Sequence, residues 1–228
     1  MTGQIVEYPS NGGRSQGYIT KPAGGGPGVV VIQEWWGLAG HIKDVADRFA
    51  AEGFVALAPD LYHGELVEEP DAAGKLMMAL NIDQAAKDLR GAVAYLLGEG
   101  GASGSKVGVI GFCMGGQLAL YAATVSPDQV GAVADFYGVH PNVKPDLDRL
   151  KAPVLGAFAE HDDYASPAVA RQLEQEIRSR GVETDFKIYP GTQHAFFNDD
   201  RTEVYDANAA RDAWERTLAF FRRQIASG

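Results

Sequence analysis

The single cysteine of the chain, Cys113, lies in the segment VIGFCMGGQLAL, with Gly111 two residues before it and Gly115 two residues after it. An apolar run precedes it and a helical pattern follows it, which is the strand–turn–helix setting of a nucleophile on a sharp turn. Glycines there allow close backbone approach. The backbone N–H of Met114 falls at a helix start, where the dipole favours a thiolate and an oxyanion. We therefore predict a nucleophile; the alternative is a cysteine that fills the core.

A cysteine nucleophile requires a base and an acid that orients the base. His194, in YPGTQHAFFND, follows the last predicted strand and is the candidate base. The segment GAFAEHDDYASP follows another strand and supplies Glu160, Asp162 and Asp163. The chain order of nucleophile, acid and histidine is the one expected with this kind of turn. The residues alone do not separate Asp162 from Asp163, and both would be solvated loop acids if no site were present.

A further carboxylate, Glu34, ends a buried apolar run in VIQEWWG, beside Trp35 and Trp36. Desolvation at such a place is expected to shift the pKa of the carboxylate and to let it exchange a proton or hydrogen bond with the thiol. The Trp35 backbone N–H is a candidate second oxyanion donor, because that donor usually comes from this loop. The alternative is that the tryptophans cap the core while Glu34 faces water.

The elements that must position these residues alternate along the chain. Strands are predicted over 29–33, 54–60, 106–112, 130–138, 152–160 and 184–191. Helices are predicted over 41–53, 83–100, 114–125, 166–181 and 202–225. This alternation indicates an α/β fold, a mostly parallel central sheet with helices on both faces, in one domain over 1–228. Ligands bind at the carboxyl ends of such strands, which is where the candidate residues fall.

Composition restricts the partners and the compartment. The formal net charge of −10 argues against nucleic acid, since binding phosphates requires clustered Lys and Arg. The sequence contains no run of about 18 apolar residues, so no membrane span is predicted. The first residues lack a signal-peptide pattern. A lone thiol suits a reducing compartment, so we expect a cytoplasmic protein. A metal site at EHDD is disfavoured, because no second histidine stands at ligand spacing.

The motifs QEWWG, APDLY, GFCMGG, EHDD and QHAFF together resemble the dienelactone hydrolase family of α/β-hydrolases, whose activity is that of a carboxymethylenebutenolidase. The resemblance runs from about Gly17 to the C-terminal helix. It implies the α/β-hydrolase fold and a cytoplasmic enzyme without cofactor or metal. It also implies a monomer or small homo-oligomer that hydrolyses a small ester or lactone.

Carried over by position, the resemblance makes Cys113 the nucleophile, His194 the base and Asp162 the partner of the base. Glu34 becomes the carboxylate that holds and activates the thiol until substrate displaces it. The thiolate would attack the carbonyl carbon, and water would hydrolyse the resulting acyl-enzyme. The backbone N–H groups that the resemblance assigns to the oxyanion hole are those of Trp35 and Met114.

The sequence departs from the family where the substrate anion binds. Members that cleave dienelactone hold its carboxylate with arginines, one of them four residues after the catalytic histidine; here that residue is Asn198. Arg201 is a candidate replacement, and Lys75, in the segment expected to supply another arginine, lacks the bidentate fork. Alternatives are therefore a general carboxylesterase or thioesterase, or a non-catalytic thiol-redox or ligand-binding relative. The pocket candidates, chosen for their positions near strand ends, are Trp36, Tyr137, His140, Phe196, Asn198 and Arg201.

Overall fold

The computed structural model describes residues 3–10 and 13–226; residues 1–2, 11–12 and 227–228 of the predicted domain lie outside the described part. The strands are β1 Gln4–Ser10, β2 Gly13–Thr20, β3 Pro27–Ile32, β4 Val55–Pro59, β5 Ser103–Phe112, β6 Val130–Phe136, β7 Val154–His161 and β8 Thr184–Gln193. They form one eight-stranded sheet in the order β1-β2-β4-β3-β5-β6-β7-β8. β2 is antiparallel to β1 and β4, while all other neighbours are parallel. The predicted mostly parallel α/β sheet is confirmed.

The helices cover both faces of this sheet, as predicted. They are α1 Gly40–Ala51, α2 Pro70–Ala79, α3 Ile82–Leu97, α4 Met114–Val125, α5 Pro167–Ser179 and α6 Ala207–Ile225, with a 3₁₀ turn at Leu147–Arg149. Successive side chains of a strand point to opposite faces. Val29 and Val31 of β3 accordingly pack with α1 and α6, while Val30 and Ile32 pack with α3 and α4. Within the described residues, no helix combines the length and apolar character that a membrane crossing requires.

Four elements differ from the sequence prediction. The hairpin of β1 and β2 was not predicted, because most residues of the edge strand β1 are exposed and only Tyr8 and Ser10 are buried. Helix α2 was not predicted; it fully buries only Ala73, while Leu76 and Met77 on the same side are partly buried. The last helix begins at 207 rather than 202, because the Asp206 side chain caps it by accepting from two backbone N–H groups.

Candidate active site

Cys113 occupies a strained turn between β5 and α4. Its φ of 55° and ψ of −122° lie in a region that residues other than glycine rarely adopt. The Cys113 N–H donates to the Phe136 carbonyl at 3.1 Å, and the Cys113 carbonyl accepts from Gly116 N–H at 3.0 Å and Val139 N–H at 3.1 Å. The bonds with Phe136 and Val139 hold the turn against the end of β6, and the bond with Gly116 joins it to the start of α4. The thiol-bearing residue is therefore fixed at the carboxyl edge of the sheet.

The glycines flanking Cys113 are required by close backbone contacts. A Cβ on Gly111 would overlap the Gly115 carbonyl oxygen. A Cβ on Gly115 would lie 2.6 Å from the Ile32 carbonyl oxygen, closer than real Cβ atoms approach. Because the obstacles are backbone atoms, no side-chain rotation relieves them.

We expect Gly111→Ala to lower the free energy of unfolding by about 3 kcal/mol, because the new methyl group overpacks the turn. Urea denaturation measures this loss. Gly40→Ala is the matched control: Gly40 opens α1, and a Cβ there meets no atom within 4 Å. It should stabilise the protein by about 0.5 kcal/mol or more. Equal losses of unfolding free energy in Gly111→Ala and Gly40→Ala would contradict the inference that overlap with backbone atoms causes the loss.

His194 and Asp162 form a direct pair. His194 Nδ1 lies 2.7 Å from Asp162 Oδ2. The other carboxylate oxygen, Asp162 Oδ1, accepts from the N–H groups of Tyr164 at 2.8 Å and Ala165 at 2.9 Å. Burial would raise the pKa of Asp162, but the hydrogen bond and charge of His194 and the two backbone donors lower it overall. Asp163 is exposed, so the structure brings Asp162 and not Asp163 to the imidazole.

The environment of His194 favours its protonated form. Burial alone would lower the pKa of His194, but the hydrogen bond to Asp162 and the interaction with Cys113 outweigh it and raise the pKa to about 10. The ring packs against Tyr137 with centroids 5.0 Å apart. The His194 imidazole therefore interacts with Asp162 on one side and with Cys113 on the other.

Glu34 is buried and does not face water; only 3% of its surface is exposed. Its Oε2 accepts from Asn198 Nδ2 at 2.7 Å. Burial raises the pKa of Glu34, against opposing effects from His41, the Asn198 hydrogen bond and His194. The family resemblance predicts an arginine at position 198. The residue there is Asn198, and its amide donates to the Glu34 carboxylate.

The two backbone groups predicted for the oxyanion hole come from neighbouring elements. Trp35 lies in the turn after β3, and Met114 is the first residue of α4. Within residues 3–10 and 13–226, neither N–H donates to a turn or loop carbonyl. The Met114 side chain is buried, with its sulfur 3.3 Å from the Tyr62 hydroxyl. The Met114 N–H directly follows Cys113, and the Trp35 N–H lies in the turn after the neighbouring strand β3.

The model of the dienelactone hydrolase family matches residues 15–225. The chain belongs to the dienelactone hydrolase family. It is 42% identical to the protein named usf of Aquifex pyrophilus, over 98% of this chain and 99% of that protein. It is 37% identical, with the same coverage, to a protein of Aquifex aeolicus provisionally named carboxymethylenebutenolidase. The crystal structure of a provisionally named dienelactone hydrolase from Klebsiella pneumoniae is 28% identical, with a TM-score of 0.86 over 98% of this chain and 100% of that chain.

Family membership makes the chain a carboxylic ester hydrolase with the α/β-hydrolase fold. Cys113, His194, Asp162 and Glu34 meet at one end of its sheet through interactions that join the ends of β3, β5, β7 and β8. The part of the chain that the structure describes includes EHDD. Within it, no group of three or more His, Cys, Asp or Glu side chains is arranged so that it could hold a metal ion.

The pocket candidates of this dienelactone hydrolase family member occupy different environments. Tyr137 and Phe196 are fully buried; Tyr137 packs against His194, and Phe196 packs against Tyr137. Trp36 is half-buried, and the Arg201 guanidinium lies 6.0 Å from the centre of its ring. Arg201 also pairs with Glu203 at 2.6 Å. Trp36 and Arg201 are thus the partly exposed members of the set.

His140 has a different set of contacts. Its Nε2 donates to the Met77 carbonyl at 3.1 Å, and its Nδ1 accepts from Asn142 N–H at 3.1 Å. Burial lowers the pKa of His140, against the opposing effect of the Met77 carbonyl. Nε2 therefore ties this loop to α2, Nδ1 is engaged within the loop, and neither nitrogen is left for a substrate.

Sequence reasoning missed two residues near the site. Tyr164 is 66% exposed, and its ring lies 5.3 Å from the His194 ring, at the open side of the site. His41 is buried on the inner face of α1. The sequence does contain a signal for the burial of His41. Val45 and Phe49 follow it by four and eight residues, so the three side chains lie on one face of the helix. No comparable signal marks Tyr164.

Proposed function

We propose that this dienelactone hydrolase family member hydrolyses a small, uncharged ester or lactone through an acyl-enzyme on Cys113. The observation that carries the proposal is the 2.7 Å contact between Asp162 and His194, with the imidazole interacting in turn with the Cys113 thiol. A nucleophile, a base and an acid that orients the base are the parts that acyl transfer requires.

In the proposed reaction, His194 holds the proton of the Cys113 thiol, and the thiolate attacks the substrate carbonyl carbon. The oxyanion that forms accepts hydrogen bonds from the N–H groups of Trp35 and Met114. Its collapse breaks the ester C–O bond, and His194 gives its proton to the departing alcohol oxygen. Water then attacks the thioester while His194 takes a proton from it, and the acid product leaves with the thiol restored.

Local charge favours an uncharged substrate. Glu34 and Asp162 bring carboxylates to the site, and Asn198 is a neutral amide already bound to Glu34. Arg201 is engaged by Glu203. At the position of the expected arginine, a substrate carboxylate would therefore meet a neutral amide, and the nearby guanidinium is already paired.

Parallel measurements of kcat/KM on p-nitrophenyl acetate and on a dienelactone test the proposal. We expect higher kcat/KM on the uncharged ester. Quenched samples analysed by mass spectrometry should carry an acetyl group on the peptide that contains Cys113. Turnover without an acylated Cys113 would contradict the mechanism, and a strong preference for the dienelactone would contradict the uncharged substrate.

Asn198→Arg should raise kcat/KM for the dienelactone relative to p-nitrophenyl acetate by about tenfold, since a hydrogen bond to a charged group contributes about 1.5 kcal/mol or more. The ratio of the two kcat/KM values is the readout. Asn198→Gln is the matched control, because it keeps the neutral amide and should leave the ratio unchanged. An equal ratio in both variants would refute an anion subsite at this position.

A further inference from the structure

An exposed aromatic ring contacts the imidazole of the candidate site. The centre of the Tyr164 ring lies 5.3 Å from the centre of the His194 ring, at an interplanar angle of 64°. Tyr164 is nevertheless 66% exposed, more than any other large apolar side chain in the part of the chain that the structure describes. His194 is thus in contact with a ring of which most of the surface is available to a ligand.

The backbone around Tyr164 is held in place, so its ring extends from a fixed point. The Tyr164 N–H donates to Asp162 Oδ1 at 2.8 Å, and the N–H of the next residue, Ala165, donates to the same oxygen at 2.9 Å. Ala165 itself is fully buried. The acid that pairs with His194 therefore also fixes the loop that carries Tyr164. Binding residues are often found on such loops, positioned by a rigid scaffold.

The two aromatic neighbours of His194 have different surroundings. Tyr137 is fully buried, with its ring centre 5.0 Å from that of the imidazole, and it packs against Phe196 as part of the core. Tyr164 leaves most of its ring in water and so forgoes the apolar burial that an aromatic side chain supplies. A ligand that packs on Tyr164 removes this area from water, which favours binding.

The proposed reaction determines which part of the substrate meets Tyr164. The acyl carbon of the substrate becomes bonded to the Cys113 sulfur, whereas His194 gives its proton to the departing alcohol oxygen. Because this transfer requires hydrogen-bond distance, the alcohol group lies at His194, next to the ring that contacts the imidazole. Tyr164 is thus on the alcohol side of the ester C–O bond rather than on the acyl side.

We propose that Tyr164 is a specificity-determining residue that packs against the alcohol group of the substrate and selects esters of aromatic alcohols. The inference rests on the proposed function and deepens it, because it names the class of alcohol that leaves. Aromatic rings pair in offset or edge-to-face arrangements and gain stability beyond the area that they bury. An aliphatic alcohol group presents no ring and gains less from the same surface.

The charges beside Tyr164 restrict the aromatic alcohol further. Glu160 at the end of β7 and Asp163 in the loop that follows are both exposed, and both precede Tyr164 by four residues or fewer. A ring that carries a negative group would be repelled by these carboxylates. The alcohol that fits this surface is therefore an uncharged phenol.

Steady-state kinetics with two acetate esters tests the proposal. Phenyl acetate and hexafluoroisopropyl acetate release alcohols of similar acidity, but only phenyl acetate carries an aromatic ring. In Tyr164→Ala we expect the ratio of kcat/KM for phenyl acetate to kcat/KM for hexafluoroisopropyl acetate to fall by about threefold or more, since an aromatic pair is lost. Tyr164→Phe keeps the ring and should keep the wild-type ratio. Val169→Ala, which shortens another exposed apolar side chain, should keep it too.

Three results of the kinetic experiment would overturn the proposal. One is a wild-type ratio in Tyr164→Ala, which includes the case of equal losses on both esters, as a merely structural role of Tyr164 predicts. Another is a fall of the ratio in Tyr164→Phe as large as that in Tyr164→Ala. The third is a larger loss on acetylcholine than on phenyl acetate in Tyr164→Ala, because the ring would then select a cation.

Binding of phenol separates this inference from the proposed function, since it requires no turnover. Phenol is titrated into the protein while the NMR signals of the His194 ring are followed. We expect the Kd of phenol to rise by about threefold or more in Tyr164→Ala and to stay unchanged in Tyr164→Phe. An unchanged Kd in Tyr164→Ala would overturn the inference. Failure to hydrolyse either ester, together with the expected rise in Kd, would instead overturn the proposed function and leave Tyr164 as part of a phenol-binding site.

Discussion

Cys113→Ala is expected to lower kcat/KM on p-nitrophenyl acetate by about 10⁴-fold or more, the loss typical when a nucleophile is removed. Only the sulfur is lost, because alanine keeps the Cβ and can adopt the same backbone turn. The turn itself is held by hydrogen bonds of the main chain, which do not depend on the sulfur. Steady-state kinetics with the purified variant measures the loss.

Two controls separate loss of chemistry from loss of fold in Cys113→Ala. The circular dichroism spectrum and Tm should stay close to those of the wild type. The pKa of His194, about 10 in the wild type, should fall in the variant, because the interaction with Cys113 helps to raise it. Histidine NMR titration follows this change. Wild-type activity in a folded Cys113→Ala would exclude Cys113 as the nucleophile.

Asp162→Asn is expected to lower kcat by about 10⁴-fold, as when the orienting acid of a triad becomes an amide. The 2.7 Å contact allows His194 Nδ1–H to donate to a carboxylate oxygen. An amide nitrogen at that place would instead donate to Nδ1, which selects the wrong tautomer and removes the negative charge that supports the imidazolium. Single-turnover kinetics separates the chemical step from binding.

Asp163→Asn is the matched control, since it changes the same chemical group one residue further on. Asp163 is exposed, so activity should stay within about twofold, as for surface substitutions that alter stability little. Similar losses of activity in both variants would mean that the activity depends on the net charge of this loop rather than on the contact with His194.

The same pair predicts how stability depends on pH. The folded-state pKa of Asp162 is lowered, so its contribution is present above the unfolded value and is lost as pH falls through the folded one. The folded-state pKa of His194 is raised to about 10, so its contribution is complete below the unfolded value and is lost as pH rises towards 10. The excess stability of the wild type over Asp162→Asn should therefore shrink at both extremes.

Much of the candidate site could be predicted from the sequence, because Cys113, His194 and Glu34 each stand at or just after the end of a predicted strand. Parallel strands bring their carboxyl ends to one edge, so residues far apart in the chain become neighbours. The choice between Asp162 and Asp163 could not be made from local pattern. It depends on which carboxylate turns inward to the imidazole, and only the folded chain shows that.

Other features depend on contacts that no local pattern encodes. His41 and Asp199 are 158 residues apart, and Glu34 and Asn198 are 164 apart. Their side chains meet only after the sheet has formed. Most residues of β1 are exposed, the buried residues of β2 are mostly small or polar, and α2 fully buries only Ala73, so none of these segments is strongly apolar in the sequence.

The way the turn at Cys113 is held has a consequence for how such enzymes change over evolution. Its N–H and carbonyl are bound by Phe136, Gly116 and Val139, and none of these contacts uses the side chain. The backbone would therefore keep its course whether the side chain ended in sulfur, oxygen or a methyl group. A single codon change thus places a different side-chain atom on the same backbone turn.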